Sequence, residues 1–282
     1  MRRTLPACTI LALAGAPAGA QEPVTLRLTP AVGQVTAYRT ELHAWLRTPL
    51  LAQADTAVPT VRIVMFLQRT VTSADSTLLT FSDVTDSSRI DLPSFGVAVP
   101  WLVPRDDLMH GLTTETRIEA GGRGVTTRVV AAPALPPELP NLIRGIVTLA
   151  ITGTRLATFA LPDHPVSPGD TWTDSLRYDL DRPHELEAAT VGGGGTGTAT
   201  FRFERLETRA GRRIAILTAV AQADASAQET AGTAIIRFSG TARVELGLDA
   251  GRLERAEMDI AGAMLTRAGM IPVRLHLAQQ AR

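Results

Sequence analysis

Between residues 236 and 248, Ile236, Phe238, Ala242, Val244, Leu246 and Leu248 fall on one side of an extended chain. Arg237, Ser239, Thr241, Arg243 and Glu245 fall on the other. A period of two belongs to a strand with one face buried and one in water, because successive side chains of a strand point to opposite sides. After Asp249-Ala250-Gly251-Arg252 the pattern resumes, with Ala256, Met258, Ile260 and Met264 opposed by Arg255, Glu257 and Asp259. Two such runs joined by a short glycine turn predict an antiparallel hairpin. The same turn chemistry recurs within 208–217 and 119–130, and further strands are expected at about 23–29, 34–46, 59–72, 77–84, 171–180 and 270–278. Many of these runs exceed the usual strand of about five or six residues. The expected fold is therefore mainly β (α+β): a large curved antiparallel sheet rather than a small sandwich.

One segment breaks the period. Leu139, Leu142, Ile143, Ile146, Val147 and Ala150 recur at helical spacing, with Pro140 suited to a first turn and Gly153 to a stop. The spacing predicts one apolar helix at about 137–152, lying against the concave face of the sheet. It would join two similar halves, about 21–135 and 157–282, of a single domain. The halves are suggested by Gly33-Gln34 and Gly169-Asp170, each opening a strand with aromatics on one side. A long segment, 87–111, is punctuated by proline and carries Phe95, Val97, Val99, Trp101 and Leu102. Loops of that length are often functional.

The Val166-x-x-Gly169-Asp170-x-Trp172 segment after Leu161-Pro162-Asp163, with Gly33-Gln34 and Tyr38 near the start, resembles an uncharacterised family of exported bacterial β proteins. That resemblance implies an exported β protein of unknown function and supplies no catalytic residues. The layout is also loosely similar to the half-barrels of periplasmic lipoprotein and lipid carriers, a likeness of fold that does not by itself carry function.

The first twenty residues combine Arg2 and Arg3, an apolar run and Ala18-Gly19-Ala20, the layout of a signal peptide. The expected location is accordingly exported, periplasmic or extracellular. Cleavage after Ala20 would remove the only cysteine, Cys8, and with it disulfide, zinc-thiolate and thiol-nucleophile chemistry. Twenty-eight basic residues balance 28 acidic ones, so no charge bias points to nucleic acid. Every basic residue is arginine, which rules out a Schiff-base or P-loop lysine. No run reaches the roughly 18 apolar residues of a membrane-spanning helix. Aromatics make up 4% of the chain, too few for the two girdles of an outer-membrane barrel.

No cofactor or metal site is legible. The five histidines, His43, His110, His164, His184 and His276, show no close pairing in sequence. Gly192–Gly197 satisfies a dinucleotide pattern only formally, because a strand rather than a helix follows it. The leading expectation is a non-enzymatic protein that binds an apolar, lipid-like ligand or a cell-envelope partner on the concave face. Trp101, Phe95, Leu142 and Ile146 are the expected lining. The alternative is a periplasmic hydrolase using a loop histidine, His164 or His184, with nearby carboxylates such as Asp163, Asp179, Asp181 and Glu185.

Overall fold

The computed structural model describes residues 22–46, 57–75, 78–93, 105–119, 125–131, 161–180, 192–229, 232–266 and 269–282. They contain twelve strands and no helix: β1 (Val35–Leu46), β2 (Val61–Ala74), β3 (Leu78–Asp91), β4 (Arg105–Asp106), β5 (Thr113–Glu119), β6 (Val125–Ala131), β7 (Thr171–Leu180), β8 (Gly192–Arg209), β9 (Arg212–Glu229), β10 (Gly232–Gly247), β11 (Arg252–Thr266) and β12 (Gly269–Ala281). The segment 137–152, expected as a helix, lies outside the described residues. So do residues 94–104 of the long loop. The Gly192–Gly197 segment opens β8 as an ordinary strand, paired to β7 from Gly193↔Leu180 onward, and is no phosphate loop.

All pairings are antiparallel and form one sheet, in the order β6-β5-β3-β2-β1-β12-β11-β10-β9-β8-β7, with β4 paired to the end of β3. The chain thus runs as two meanders, β1 to β6 and β7 to β12. The ladder between β1 and β12, from Tyr38↔Ala281 to Leu46↔Val273, joins them. At the far ends β6 and β7 approach each other, with no hydrogen-bonded ladder between them. The sheet therefore curls most of the way into an up-and-down barrel, as twisted sheets of this width do.

The alternation read from the sequence becomes two surfaces. One row across nine strands, Ile90, Ile63, Leu42, Leu277, Met258, Ala242, Ala219, Phe201 and Trp172, is apolar throughout. One residue along each strand, the row becomes Arg62, His43, His276, Asp259, Thr241, Val220, Thr200 and Thr173. The first surface is inward: Tyr38, Leu42, Ile63, Phe203 and Leu277 are at most 2% exposed. The outward face carries ion pairs between residues two apart on one strand: Arg89–Asp91, Arg117–Glu115, Arg205–Glu207 and Arg252–Glu254. Side chains at i and i+2 share a face, so an Arg-x-Glu spacing builds such a pair without a second strand. Arg209 continues the network by linking Glu207 to Glu245 on β10.

Residues 23–29 do not form the expected strand. Val24 and Val166 exchange backbone hydrogen bonds of 2.8 and 2.9 Å, and Thr29 donates to the Gly251 carbonyl at 3.1 Å. The segment crosses the end of the barrel instead of joining its wall. Its alternation is nonetheless used: Leu26 is fully buried, while Thr25, Arg27 and Thr29 face water.

The Val166–Trp172 segment is a turn. Gly169 sits at φ 97°, Asp170 donates its N–H to the Ser167 carbonyl at 3.0 Å, and Ser167 donates its own to Asp170 Oδ2 at 2.7 Å. Proline at the second position and glycine at the third are what a type II turn requires. Gly33 repeats the arrangement at φ 81°, with Gln34 N–H to the Ala31 carbonyl and Ala31 N–H to Gln34 Oε1. Each turn docks on the wall identically: Gly33 and Gln34 bond both backbone groups of Val71, and Gly169 and Asp170 those of Phe203.

Candidate functional site

The inner face is filled at the end crossed by residues 22–30. Leu26, Leu161 and Val166 pack into one cluster with Tyr38, Leu67, Phe201, Phe203, Leu217, Leu246 and Leu253, drawn from opposite stretches of the wall. Tyr38 donates its hydroxyl to the Leu253 carbonyl at 3.0 Å, which satisfies its one polar atom inside the cluster. Burial pushes its phenol pKa above the ordinary value, and the nearby Arg69 charge only partly opposes that.

Arg69 brings a full charge to this face. Val61, Ile63, Met65, Leu67 and Val71 share its inward parity on β2, yet a guanidinium stands among them. It forms a two-pronged pair with Asp83 on β3, Nε to Oδ1 and Nη2 to Oδ2 both at 2.8 Å. The guanidinium carbon lies 5.0 Å from the ring centres of both Tyr38 and Phe81. Burial draws the Arg69 pKa down. The Asp83 charge and hydrogen bonds, helped by Tyr38, outweigh that, and the net shift is upward from the ordinary value. Beside the pair is a pocket lined by Leu28, Pro30, Val71, Phe81, Ile118 and Leu253, among others. Its free volume is ≈ 30 Å³, room for water, whereas ligand pockets run to roughly 300–1,000 Å³. This end is core.

Toward the other end the inner face changes character. On β8 to β11 the inward positions there include the small Gly197, Ala221, Ala223, Gly240 and Gly262, whereas β2, β3 and β12 keep large buried side chains, Val61, Ile63, Ile90 and Leu275. Phe238, Ala242, Met258 and Val273 here are half-buried, as is Trp172, which stacks on Phe201 with ring centres 5.6 Å apart. The apolar surface thus continues past the point where the described residues fill it.

Of the residues expected from sequence to line a ligand site, Phe95, Trp101, Leu142 and Ile146 all lie outside the described residues. His184, Asp181 and Glu185 do too. His164 accepts or donates a 3.0 Å hydrogen bond to Asp163, and both side chains are more than half exposed. Among the described residues, no three His, Cys, Asp or Glu side chains converge on one metal position as they stand. No described helix is long and apolar enough to cross a membrane. Sequence reading missed Arg69, although its signal was present as an arginine in phase with five apolar residues.

No family model matches the chain, and no curated protein does. Among solved structures it is similar to Salmonella typhi OmpF in complex with daunomycin, at 9% identity and a TM-score of 0.25. That alignment covers 88% of this chain and 98% of that one. At such a score the likeness carries no argument.

Proposed function

We propose that this is an exported, non-enzymatic protein that binds an apolar, lipid-like ligand on the inner face of its curled sheet. One observation carries the reading. Residues 22–30 close one end of the mainly apolar inner face, while toward the other end its β8–β11 stretch carries Gly197, Ala221, Ala223, Gly240 and Gly262, with Phe238, Met258 and Val273 half-buried. Apolar surface of that extent favours being covered, at roughly 25 cal/mol per Å² removed from water. The outward face supports a protein bathed in water. A membrane barrel turns its apolar residues outward, and each charge on its lipid face costs about 2–4 kcal/mol near the midplane. Here the outward face bears the arginine–carboxylate pairs instead.

Native mass spectrometry of protein extracted gently from its own periplasm tests the reading. A co-purifying lipid-sized mass is expected, removable with detergent. A clean unliganded mass, together with no displacement of a fluorescent apolar probe by fatty acids or phospholipids, would refute it.

A further inference from the structure

His43 and His276 stand directly opposite each other in the β1–β12 ladder, on the outward face. Their ring centres are 6.0 Å apart and their planes are inclined at 47°. The ladder they share joins the two meanders. The two rings are supported differently. His276 Nδ1 lies 3.0 Å from Asp259 Oδ1 on the neighbouring β11, so a proton on that ring meets a carboxylate. His43 Nε2 is buried and has no hydrogen-bond partner among the described residues. Glu41 Oε2, two residues back on the same face, is 3.6 Å from it, too long for a hydrogen bond.

The charges that face His43 favour its neutral form. On β1, Glu41 is already held by Arg39, and Arg62 of β2 lies 3.7 Å from its Oε2. Arg62 is also the register partner of His43, so a cation opposes the ring on one side and His276 on the other. Beyond Arg62, Asp91 of β3 is paired with Arg89 at 3.0 Å. On β12, Arg274 lies over the Trp45 ring at 5.1 Å, and Trp45 meets His43 edge-on with ring centres 6.2 Å apart. On β11, Asp259 serves His276, and Glu257 is paired with Arg255. A proton on His43 would therefore share one carboxylate with two guanidiniums, at a side chain only 26% exposed. Like charges directly opposed across a sheet are destabilising. Desolvation first, then the Arg62 charge, lowers the His43 pKa from its ordinary value, and Glu41 only partly opposes them.

We propose that this cluster makes the β1–β12 ladder an acid-sensitive joint, held while His43 is neutral and weakened when it takes up a proton. The sign follows from linkage. In the unfolded chain a histidine protonates near pH ~6.5. One whose pKa is lowered in the fold takes up its proton later, so the unfolded state binds more protons over the interval between the two values. Stability is complete above the unfolded value and is lost as pH falls from there toward the folded one. The place of the pair in the fold directs the effect. The far ends of the two meanders, β6 and β7, share no hydrogen-bonded ladder, so weakening β1–β12 loosens one half of the sheet against the other. Acid thus acts on how the halves meet rather than on either half alone.

Histidine ring NMR of the full chain across the acid range reads the His43 midpoint directly. Amide hydrogen exchange at neutral and at mildly acid pH, corrected for its intrinsic pH dependence, reads each ladder. His43 should titrate below the ordinary value of about 6.5. On acidification the β1 and β12 amides should lose about tenfold more protection than those of β8 and β9. Arg62→Gln removes the facing cation at a side chain 45% exposed, and should raise the His43 midpoint. His43→Phe keeps a ring beside Trp45 without the proton site, and should flatten the fall of Tm below pH ~6.5 by up to about 3 °C per pH unit. His164→Ala, at an exposed position, should leave that fall unchanged. If a variant melts early, the midpoint and the exchange of the unsubstituted protein still decide. A His43 midpoint at or above the ordinary value would overturn the proposal. So would protection lost equally from both ladders, or a His43→Phe curve parallel to that of the unsubstituted protein.

Discussion

Breaking the Arg69–Asp83 pair from either side should destabilise the protein far more than removing both charges together. The side chains are 15% and 14% exposed, joined by two 2.8 Å hydrogen bonds, and flanked in the same row by the buried Thr36 and Thr114. Truncating one member of such a pair leaves the other charge buried without a partner, which costs about 3–5 kcal/mol. Arg69→Met strands the Asp83 carboxylate and removes two ring contacts worth about 0.5–2 kcal/mol each. The expected loss is therefore near the upper end, about 4–5 kcal/mol. Asp83→Leu leaves the guanidinium still sandwiched by Tyr38 and Phe81, so about 3 kcal/mol is expected. The double variant Arg69→Met/Asp83→Leu, apolar on both strands, should lose less than either single one, because buried ion pairs replaced by apolar groups are often neutral. Urea unfolding followed by tryptophan fluorescence reads this directly. With a slope of about 2–3 kcal/mol per molar, each single substitution lowers the midpoint by at least ~1 M. Single losses below about 1 kcal/mol, or a double loss equal to their sum, would show that the pair is solvated and independent, and the reasoning would fail.

Other outcomes follow from the same geometry. Tyr38→Phe removes the donor to the Leu253 carbonyl at a site 1% exposed, and the unfolding free energy should drop by about 1–3 kcal/mol. Gly33→Ala and Gly169→Ala each place a side chain at positive φ with open space around it; each should cost about 1–2 kcal/mol by calorimetry, and the two should cost the same because the turns are built alike. Gly197→Ala is different in kind, since its Cβ would meet the Gln222 carbonyl oxygen at 2.3 Å and the Ala223 Cβ at 2.5 Å; the loss should exceed that of either turn variant, with β8 and β9 forced apart. Asp249 accepts the Arg213 backbone N–H at 2.7 Å and its Nε–H at 2.9 Å, and the backbone bond first, then the side chain, lowers its pKa from the ordinary value. A depressed carboxyl contributes stability that is complete above its unfolded value of about 3.9 and fades as pH falls through the folded value. Asp249→Asn should therefore flatten the acid limb of a Tm-against-pH curve while leaving the limb above pH 5 parallel.

Much of the wall was legible residue by residue. In 237–246 and 255–263 the apolar and charged sets fall on the two faces that alternation assigns them, and a bulge opposite Glu245 and Leu246 shifts the phase before Arg255. The reason is local: a strand's side-chain direction depends only on parity. The same rule carried information that went unread, in the arginine of β2 that keeps inward phase. It misled at 23–29, where alternation without a neighbouring strand marks a segment laid across the barrel end. The apolar run at 137–152 and the loop that carries Phe95 and Trp101 fall outside the described residues.

The meeting of His43 and His276 could not have been found that way. His43 and His276 are 233 positions apart (276 − 43), and nothing near either one specifies the other. Their meeting depends on the β1–β12 register, which brings Thr40 and Gln279 into a 3.2 Å hydrogen bond across 239 positions. A slip of one residue would turn Tyr38, Leu42 and Ala44 into water, so burial of the inner face selects that register. By itself the sequence determined which side chains share a face, because periodicity is a property of each strand alone. Only the tertiary structure decided which faces meet, because closure of the sheet pairs its strands according to how well their apolar rows bury one another.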